Sequence, residues 1–285
     1  MKGAGWREQG AVIPCGDNRL TGILALPDDP AGVGVVLLVG GPQYRVGSHR
    51  QFTLLGRDLA AAKIPSLRFD YSGMGDSEGD HREFYDVQED LSAAIDALKA
   101  ASGVTRVVLW GLCDAASTAM LYAHQHTDVS GIVLLNPWVH GDEYSAKVKF
   151  SHYYRPLLRG RENWSRLISG EIDLLPAMKE FLGSSARTLA GLVGMTSAAA
   201  SRHSFVQQML KGFGQFDKDS LIILSEDDLT AREFSSLVEG DKAWQALVGR
   251  DGVQTVTIAG ADHTFSSGTW MREVAKLTIE WVKQR

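Results

Sequence analysis

A cysteine stands at the turn between an apolar segment and a run of small residues. Residues 107–112 read Val-Val-Leu-Trp-Gly-Leu, Cys113 follows, and Asp-Ala-Ala-Ser continue the chain. A buried strand that turns at one residue and enters a helix is typical of a nucleophile elbow, usually Gly-x-Ser-x-Gly, in which the turn exposes one side chain. Cys113 takes the serine position and Ala115 that of the second glycine. Because a helix N-terminus favours negative charge, we expect a reactive thiolate at Cys113.

The chain after Cys113 contains an acid and then a histidine, the two groups that a nucleophilic thiol needs. A nucleophile needs a base, and the base needs a group that orients it. His263 lies in a short loop between the last predicted strand and the final predicted helix. The acid is expected after the preceding strand, where residues 225–230 read Ser-Glu-Asp-Asp-Leu-Thr. We favour Asp228 and keep Asp227 as the alternative, so the predicted catalytic residues are Cys113, Asp228 and His263.

An apolar strand ending at Val39 runs into residues 40–45, Gly-Gly-Pro-Gln-Tyr-Arg. A loop at this place would supply backbone N–H groups to the oxyanion that develops during attack on a carbonyl. Pro42 has no N–H, so we predict that the N–H groups of Gln43 and Asp114 form the oxyanion hole. Residues predicted to contact the substrate are Gly41, Tyr44, Arg45, Trp138 and Tyr154. Ordinary packing is the alternative for the aromatic residues after position 136.

Strand and helix patterns alternate along most of the chain. Residues 9–14 and 20–26 predict two antiparallel strands, and buried apolar runs then alternate with helical periodicity. This predicts an α/β fold with a mostly parallel central sheet of about eight strands flanked by helices. The alternation stops between residues 137 and 215, which predicts a helical cap or lid inserted into a core formed by residues 1–136 and 216–285.

The composition excludes several classes of protein. The chain has 285 residues, 44% of them hydrophobic, a net charge of −5 and two cysteines. The acidic balance argues against nucleic-acid binding, and two cysteines make no disulfide framework. The longest apolar run is too short to span a bilayer, and the N-terminal residues lack a signal-peptide pattern. The histidines form no metal-ligand pattern, so we expect no metal and no cofactor. From these features together we expect a cytoplasmic protein without stable membrane insertion.

Four segments resemble known hydrolases. Residues 68–77, Arg-Phe-Asp-Tyr-Ser-Gly-Met-Gly-Asp-Ser, are similar to the Asp-Tyr-Arg-Gly-x-Gly-x-Ser loop of esterase-like α/β-hydrolases. Residues 40–45, 111–117 and 228–234 resemble the exosortase A system-associated hydrolase 1 family, bacterial proteins encoded alongside exopolysaccharide and exosortase genes. The resemblance implies the α/β-hydrolase fold and a Cys-His-Asp triad. Cysteine in place of serine and alanine at position 115 depart from the wider esterase pattern.

A cysteine nucleophile predicts a thioester intermediate. Thioesters pass acyl groups to amines, alcohols, thiols or water, so the chain is expected to act on ester or thioester bonds as an acyl hydrolase or acyltransferase. The expected partner is a small-molecule or carrier-bound acyl substrate, and the excess of basic residues in residues 137–215 suits an anionic carrier. A dienelactone-hydrolase-like lactone or enol-ester hydrolase, and a non-catalytic binding protein on a hydrolase scaffold, remain alternatives.

Overall fold

A single sheet of nine strands organises the molecule. The computed structural model describes residues 2–3, 5–41, 43–139 and 197–285, and residues 2–3 and 197–204 by their backbone alone. The strands are β1 (Lys2–Gly3), β2 (Trp6–Cys15), β3 (Asn18–Pro27), β4 (Val33–Leu38), β5 (Ser66–Phe69), β6 (Arg106–Leu112), β7 (Val129–Leu135), β8 (Asp219–Ser225) and β9 (Val253–Ile258). Their order across the sheet is β1-β2-β3-β5-β4-β6-β7-β8-β9.

The sheet is antiparallel at one edge and parallel elsewhere. Strands β2 and β3 form a hairpin, and β3 pairs antiparallel with β5. From β5 to β9 every neighbouring pair is parallel. All residues of β4 and β5 are buried, as expected for strands covered on both faces. The predicted α/β-hydrolase fold with a mostly parallel sheet is confirmed, and the two-residue β1 adds a ninth strand to the expected number of about eight.

Helices cover the sheet, and one of them was not predicted. In the described ranges they are α1 (Gln51–Ala61), α2 (Gln88–Ser102), α3 (Asp114–Tyr122), α4 (Ser197–Gln215), α5 (Leu229–Gly240), α6 (Lys242–Val248) and α7 (Gly268–Val282), with single 3₁₀ turns at Ser48–Arg50 and Ala123–Gln125. Helix α5 was not predicted from the sequence, although the buried residues Ala231, Phe234 and Leu237 lie on one face at helical spacing. None of these helices has both the length and the apolar content needed to cross a bilayer.

Helix α4 approaches helix α3 closely at one glycine. A Cβ atom on Gly212 would lie 2.5 Å from the carbonyl oxygen of Met120, so only glycine permits this distance. The side chains of Met209 and Phe213 on the same helix are fully buried. Residues 140–196, and Tyr154 with them, lie outside the described residues, and the predicted bounds of the insertion at 137–215 stay a prediction.

Substitution of Gly212 should destabilise the protein through backbone overlap. We expect Gly212→Ala to lower the free energy of unfolding by about 1–3 kcal/mol, because the carbonyl of Met120 cannot move away as a flexible side chain could. Gly214→Ala is the matched control, since its Cβ would meet only side-chain atoms of Leu247 at 3.6 Å, and alanine should gain up to about 1 kcal/mol there. Urea unfolding of both variants measures the difference; equal effects would contradict the packing explanation.

Candidate active site

Cys113 adopts a backbone conformation that side chains rarely take. Its φ is 63° and its ψ is −125°, and it immediately precedes α3 as the N-cap residue. Such a conformation costs about 1–3 kcal/mol and persists only where the surroundings enforce it. Here the N–H of Cys113 donates to the carbonyl of Leu135 at 2.9 Å, which ties the turn to β7. A Cβ on Gly111 would lie 2.5 Å from the backbone of Ala115, so glycine lets α3 fold back over β6. The thiol of Cys113 remains partly exposed.

Asp228 and His263 lie side by side at the ends of β8 and β9. Nδ1 of His263 is 3.0 Å from Oδ2 of Asp228, and the Asp228 side chain is only 7% exposed. The same oxygen accepts the N–H of Ala231 at 2.9 Å, so Asp228 also caps α5. The imidazole ring is turned so that Nδ1 and the carboxylate oxygen are poorly aligned for a hydrogen bond, a geometry that is common in active sites before substrate binds. The Asp228 carboxylate is therefore positioned by its hydrogen bond at the start of α5 as well as by its contact with His263.

Asp227, the alternative acid, points elsewhere. Its side chain is 64% exposed and pairs with Arg232 at 3.2 Å. Its N–H donates to the carbonyl of Ala261 at 3.0 Å. The structure thus brings Asp228 to His263, while Asp227 forms a surface ion pair.

Asn136 connects the two loops that carry the acid and the histidine, and sequence analysis missed it. It follows β7, is fully buried and has a φ of 43°. Its side-chain amide donates to the Ser225 hydroxyl at 2.8 Å and to the carbonyl of His263 at 3.0 Å, and its Oδ1 accepts the N–H of Ser225 at 2.8 Å. The Ser225 hydroxyl donates in turn to the carbonyl of Asp262. The only signal in the sequence is a polar amide directly after an apolar strand.

The loop after β4 presents the N–H of Gly41 to the elbow. This N–H lies 2.8 Å from each carboxylate oxygen of Asp114, the residue after Cys113. Gln43, the predicted donor, uses its side-chain oxygen to accept the N–H of Ser48 at 3.0 Å. The backbone donor that the structure brings to Asp114 is therefore Gly41, and oxyanion roles for the N–H groups of Gln43 and Asp114 stay predictions.

Arg45 fixes this loop to the loop after β5. Its guanidinium pairs with the fully buried Asp70 and, at 2.5 Å, with Asp76, and its own N–H donates to Asp70 at 2.6 Å. Its side chain is only 15% exposed. Arg45 thus positions the segment that contains Gly41, and its predicted contact with substrate stays a prediction.

The predicted aromatic contacts occupy different environments. Tyr44 is 48% exposed and lies beside the guanidinium of Arg45. Trp138 stacks on Phe205 with ring centroids 5.3 Å apart and meets Phe84 edge-on. The N–H of Trp138 donates to the carbonyl of Cys113 at 3.2 Å. Trp138 therefore supports the elbow through its backbone and packs its ring beside the site.

Comparisons with known proteins agree with this architecture. A family model described as the alpha/beta hydrolase family matches residues 35–277. The chain belongs to the alpha/beta hydrolase family. A search of the curated proteins gave no significant match. Within the described residues, no three His, Cys, Asp or Glu side chains are grouped so as to hold a metal ion.

Solved structures with the same fold include esterases and a dienelactone hydrolase. An esterase of Pyrococcus furiosus is 16% identical, with a TM-score of 0.65 over 98% of this chain and 91% of that one. Est1E of Butyrivibrio proteoclasticus, solved with ferulic acid, is 16% identical, with a TM-score of 0.63 over 96% and 98%. A dienelactone hydrolase of Anabaena variabilis is 16% identical, with a TM-score of 0.59 over 98% of each chain. At these identities the likeness shows the fold.

The surroundings of His263 in this alpha/beta hydrolase favour the charged imidazolium. The Asp228 carboxylate 3.0 Å away, followed by the Cys113 side chain, raises the pKa of His263 from 6.5 to about 10, against the opposing effect of burial. Because the folded-state pKa is the higher one, the stabilisation is complete below pH 6.5 and is lost as pH rises through about 10. At neutral pH the site therefore holds a cation beside the Cys113 sulfur.

Removing the carboxylate of Asp228 should release this proton. We expect Asp228→Asn to lower the pKa of His263 from about 10 towards 6.5, because the first cause of the shift is lost. Asp227→Asn is the control and should leave the titration unchanged, since that carboxylate faces solvent. NMR titration of the His263 ring measures both, and the reverse pattern would show that the acid is Asp227.

Proposed function

We propose that this hydrolase acts on ester or thioester bonds through Cys113, His263 and Asp228 and forms an acyl-enzyme thioester. The observation that carries the proposal is the strained strand-to-helix turn at Cys113 together with the imidazole of His263, whose Nδ1 is 3.0 Å from Asp228 and whose pKa the Cys113 side chain helps to raise. A nucleophile, a base within hydrogen-bond reach and an orienting acid form the constellation that covalent acyl transfer needs.

The proposed reaction proceeds in two transfers. The Cys113 thiolate attacks the acyl carbon, a C–S bond forms, and the carbonyl electrons move to oxygen. When that oxyanion collapses, the bond to the leaving group breaks and the His263 imidazolium gives it a proton. The neutral imidazole then takes a proton from water or another acceptor, which attacks the thioester and releases Cys113 as thiolate. Asp228 stabilises the imidazolium throughout.

The cysteine makes acyl transfer a realistic outcome beside hydrolysis. A thioester reacts readily with amines and thiols, so an acceptor that excludes water would turn the hydrolase into an acyltransferase. The partner in this proposal is a small or carrier-bound acyl compound. The resemblance to the exosortase A system-associated hydrolase 1 family supports a setting in bacterial exopolysaccharide or exosortase-associated metabolism, in the cytoplasm.

Trapping the acyl group on Cys113 tests the proposal. We expect mass spectrometry of protein treated with p-nitrophenyl esters or acyl-CoAs to show an acyl adduct on Cys113, and Cys113→Ala to abolish turnover. Cys113→Ser should lose much activity, since the site is arranged for a thiolate. A lactone panel run in parallel identifies a dienelactone-type specificity.

Cys15 provides the matched control. Its thiol is buried and donates to Asp90, and burial followed by that hydrogen bond raises its pKa to about 11. Iodoacetamide at neutral pH should therefore alkylate Cys113 well before Cys15, and Cys15→Ala should retain activity. Equal labelling of both thiols with unchanged turnover in Cys113→Ala would refute the proposal, whereas absence of both turnover and adduct in the wild-type protein would leave a binding function.

A further inference from the structure

A cavity lies between α1 and α7, and none of the three proposed catalytic residues lines it. Its volume is ≈ 200 Å³. The residues that line it are spaced three or four positions apart on each helix, as on one helix face. The apolar part of the lining consists of Leu54 and Leu55 of α1 and Met271, Val274 and Ala275 of α7. An apolar cavity of about 150 Å³ can bind benzene, so this cavity has room for a ring with a small head group.

Gln51, the first residue of α1, also lines this cavity. The residue is 4% exposed, and neither its amide nitrogen nor its amide oxygen has a hydrogen-bond partner among the described residues. A buried polar group without a partner is costly and calls for an explanation. A ligand in the cavity that supplies both an acceptor and a donor would provide the two missing hydrogen bonds.

The charged residues of the lining are one of each sign. Asp58 lies two helical turns after Gln51 on α1, and Arg272 lies on α7; both are exposed. The Arg272 guanidinium is 3.5 Å from the hydroxyl of Thr269 in the first turn of α7. One carboxylate and one guanidinium give the cavity no net charge that would attract an ion. An ionic head group would also lose its hydration on entering, so a neutral head group is favoured.

We propose that the cavity between α1 and α7 is a binding site for a small neutral carboxamide with an aromatic or branched apolar body. The carbonyl oxygen of the ligand accepts a hydrogen bond from the Gln51 amide, and its N–H donates one to the Gln51 amide oxygen. The apolar body packs against Leu55 and Val274, both of which are buried. The bound ligand would contact the helix that follows the Gly41 loop and the helix that follows the His263 loop.

Calorimetric titration with benzamide and acetophenone tests the site. Both molecules place a carbonyl on a benzene ring, but acetophenone lacks the N–H. We expect benzamide to bind about tenfold more tightly or better, because acetophenone leaves the Gln51 amide oxygen unpaired. Benzoate, which has the same size and a negative charge, should bind more weakly than benzamide. This comparison of probes needs no altered protein.

Substitution of Gln51 assigns the preference to its amide. Gln51→Met keeps an unbranched side chain of the same length and removes the donor and the acceptor. It should weaken benzamide binding about tenfold or more and abolish the difference between benzamide and acetophenone. Gln245→Met is the matched control and should bind as the wild type does, since the amide of Gln245 on α6 donates to the carbonyl of Glu239 at 2.7 Å and does not line the cavity.

Four results would overturn the inference. Absence of binding by benzamide would leave no ligand site, and equal affinity for benzamide and acetophenone would show a cavity that selects by apolar contact alone. Unchanged binding in Gln51→Met, folded by circular dichroism, would place the amide contact elsewhere. Loss of benzamide binding in Cys113→Ala would place the probe in the active site. Retained binding in Cys113→Ala is expected, so the site stands or falls separately from the proposed reaction.

Discussion

The left-handed backbone at Cys113 is the constraint on which the rest of the site depends. With a φ of 63° it costs energy, so neighbouring elements must hold it from both sides. Gly111 permits α3 to fold back over β6, and the hydrogen bond from Cys113 to Leu135 ties the turn to the adjacent strand. Four parallel strands meet at this edge, and their ends deliver the thiol, the acid and the imidazole to one place. The strain is thus sustained by the sheet itself.

The buried side-chain amide of Asn136 links the loops that carry Asp228 and His263. Asn136 bonds both the strand end that precedes Asp228 and the backbone of His263, so the spacing of acid and base is set by one side chain in the interior. A buried polar network of this kind is stabilising only when each member is satisfied, and here Ser225 completes it by donating to Asp262. The histidine loop is consequently anchored through its backbone, independently of the contact between the imidazole and Asp228.

How far the sequence predicts this protein depends on the range of the interactions involved. The strands and the elbow can be predicted from local sequence, because continuous apolar runs and a glycine shortly before Cys113 are visible without reference to distant residues. The choice between Asp228 and Asp227 requires the position of the acid to be known to within one residue. In the structure Asp228 caps α5 beside His263, and Asp227 pairs with Arg232 at the surface. Asn136 could not be assigned a role, since its partners are 89 and 127 positions away along the chain.

Charge explains why a cysteine in this scaffold differs from a serine. The Asp228 carboxylate and the Cys113 side chain both raise the pKa of His263, whereas burial raises the pKa of Asp114 and the charge of His263 opposes that increase. In the proposed reaction a serine would need the histidine to take its proton as a general base, because a hydroxyl ionises far less readily than a thiol. With Cys113 as the nucleophile, the proposed reaction instead depends on formation of the oxyanion and on breakdown of the thioester. Hydrogen-bond donors at the oxyanion, for which the N–H groups of Gln43 and Asp114 are predicted, would act on both of these steps.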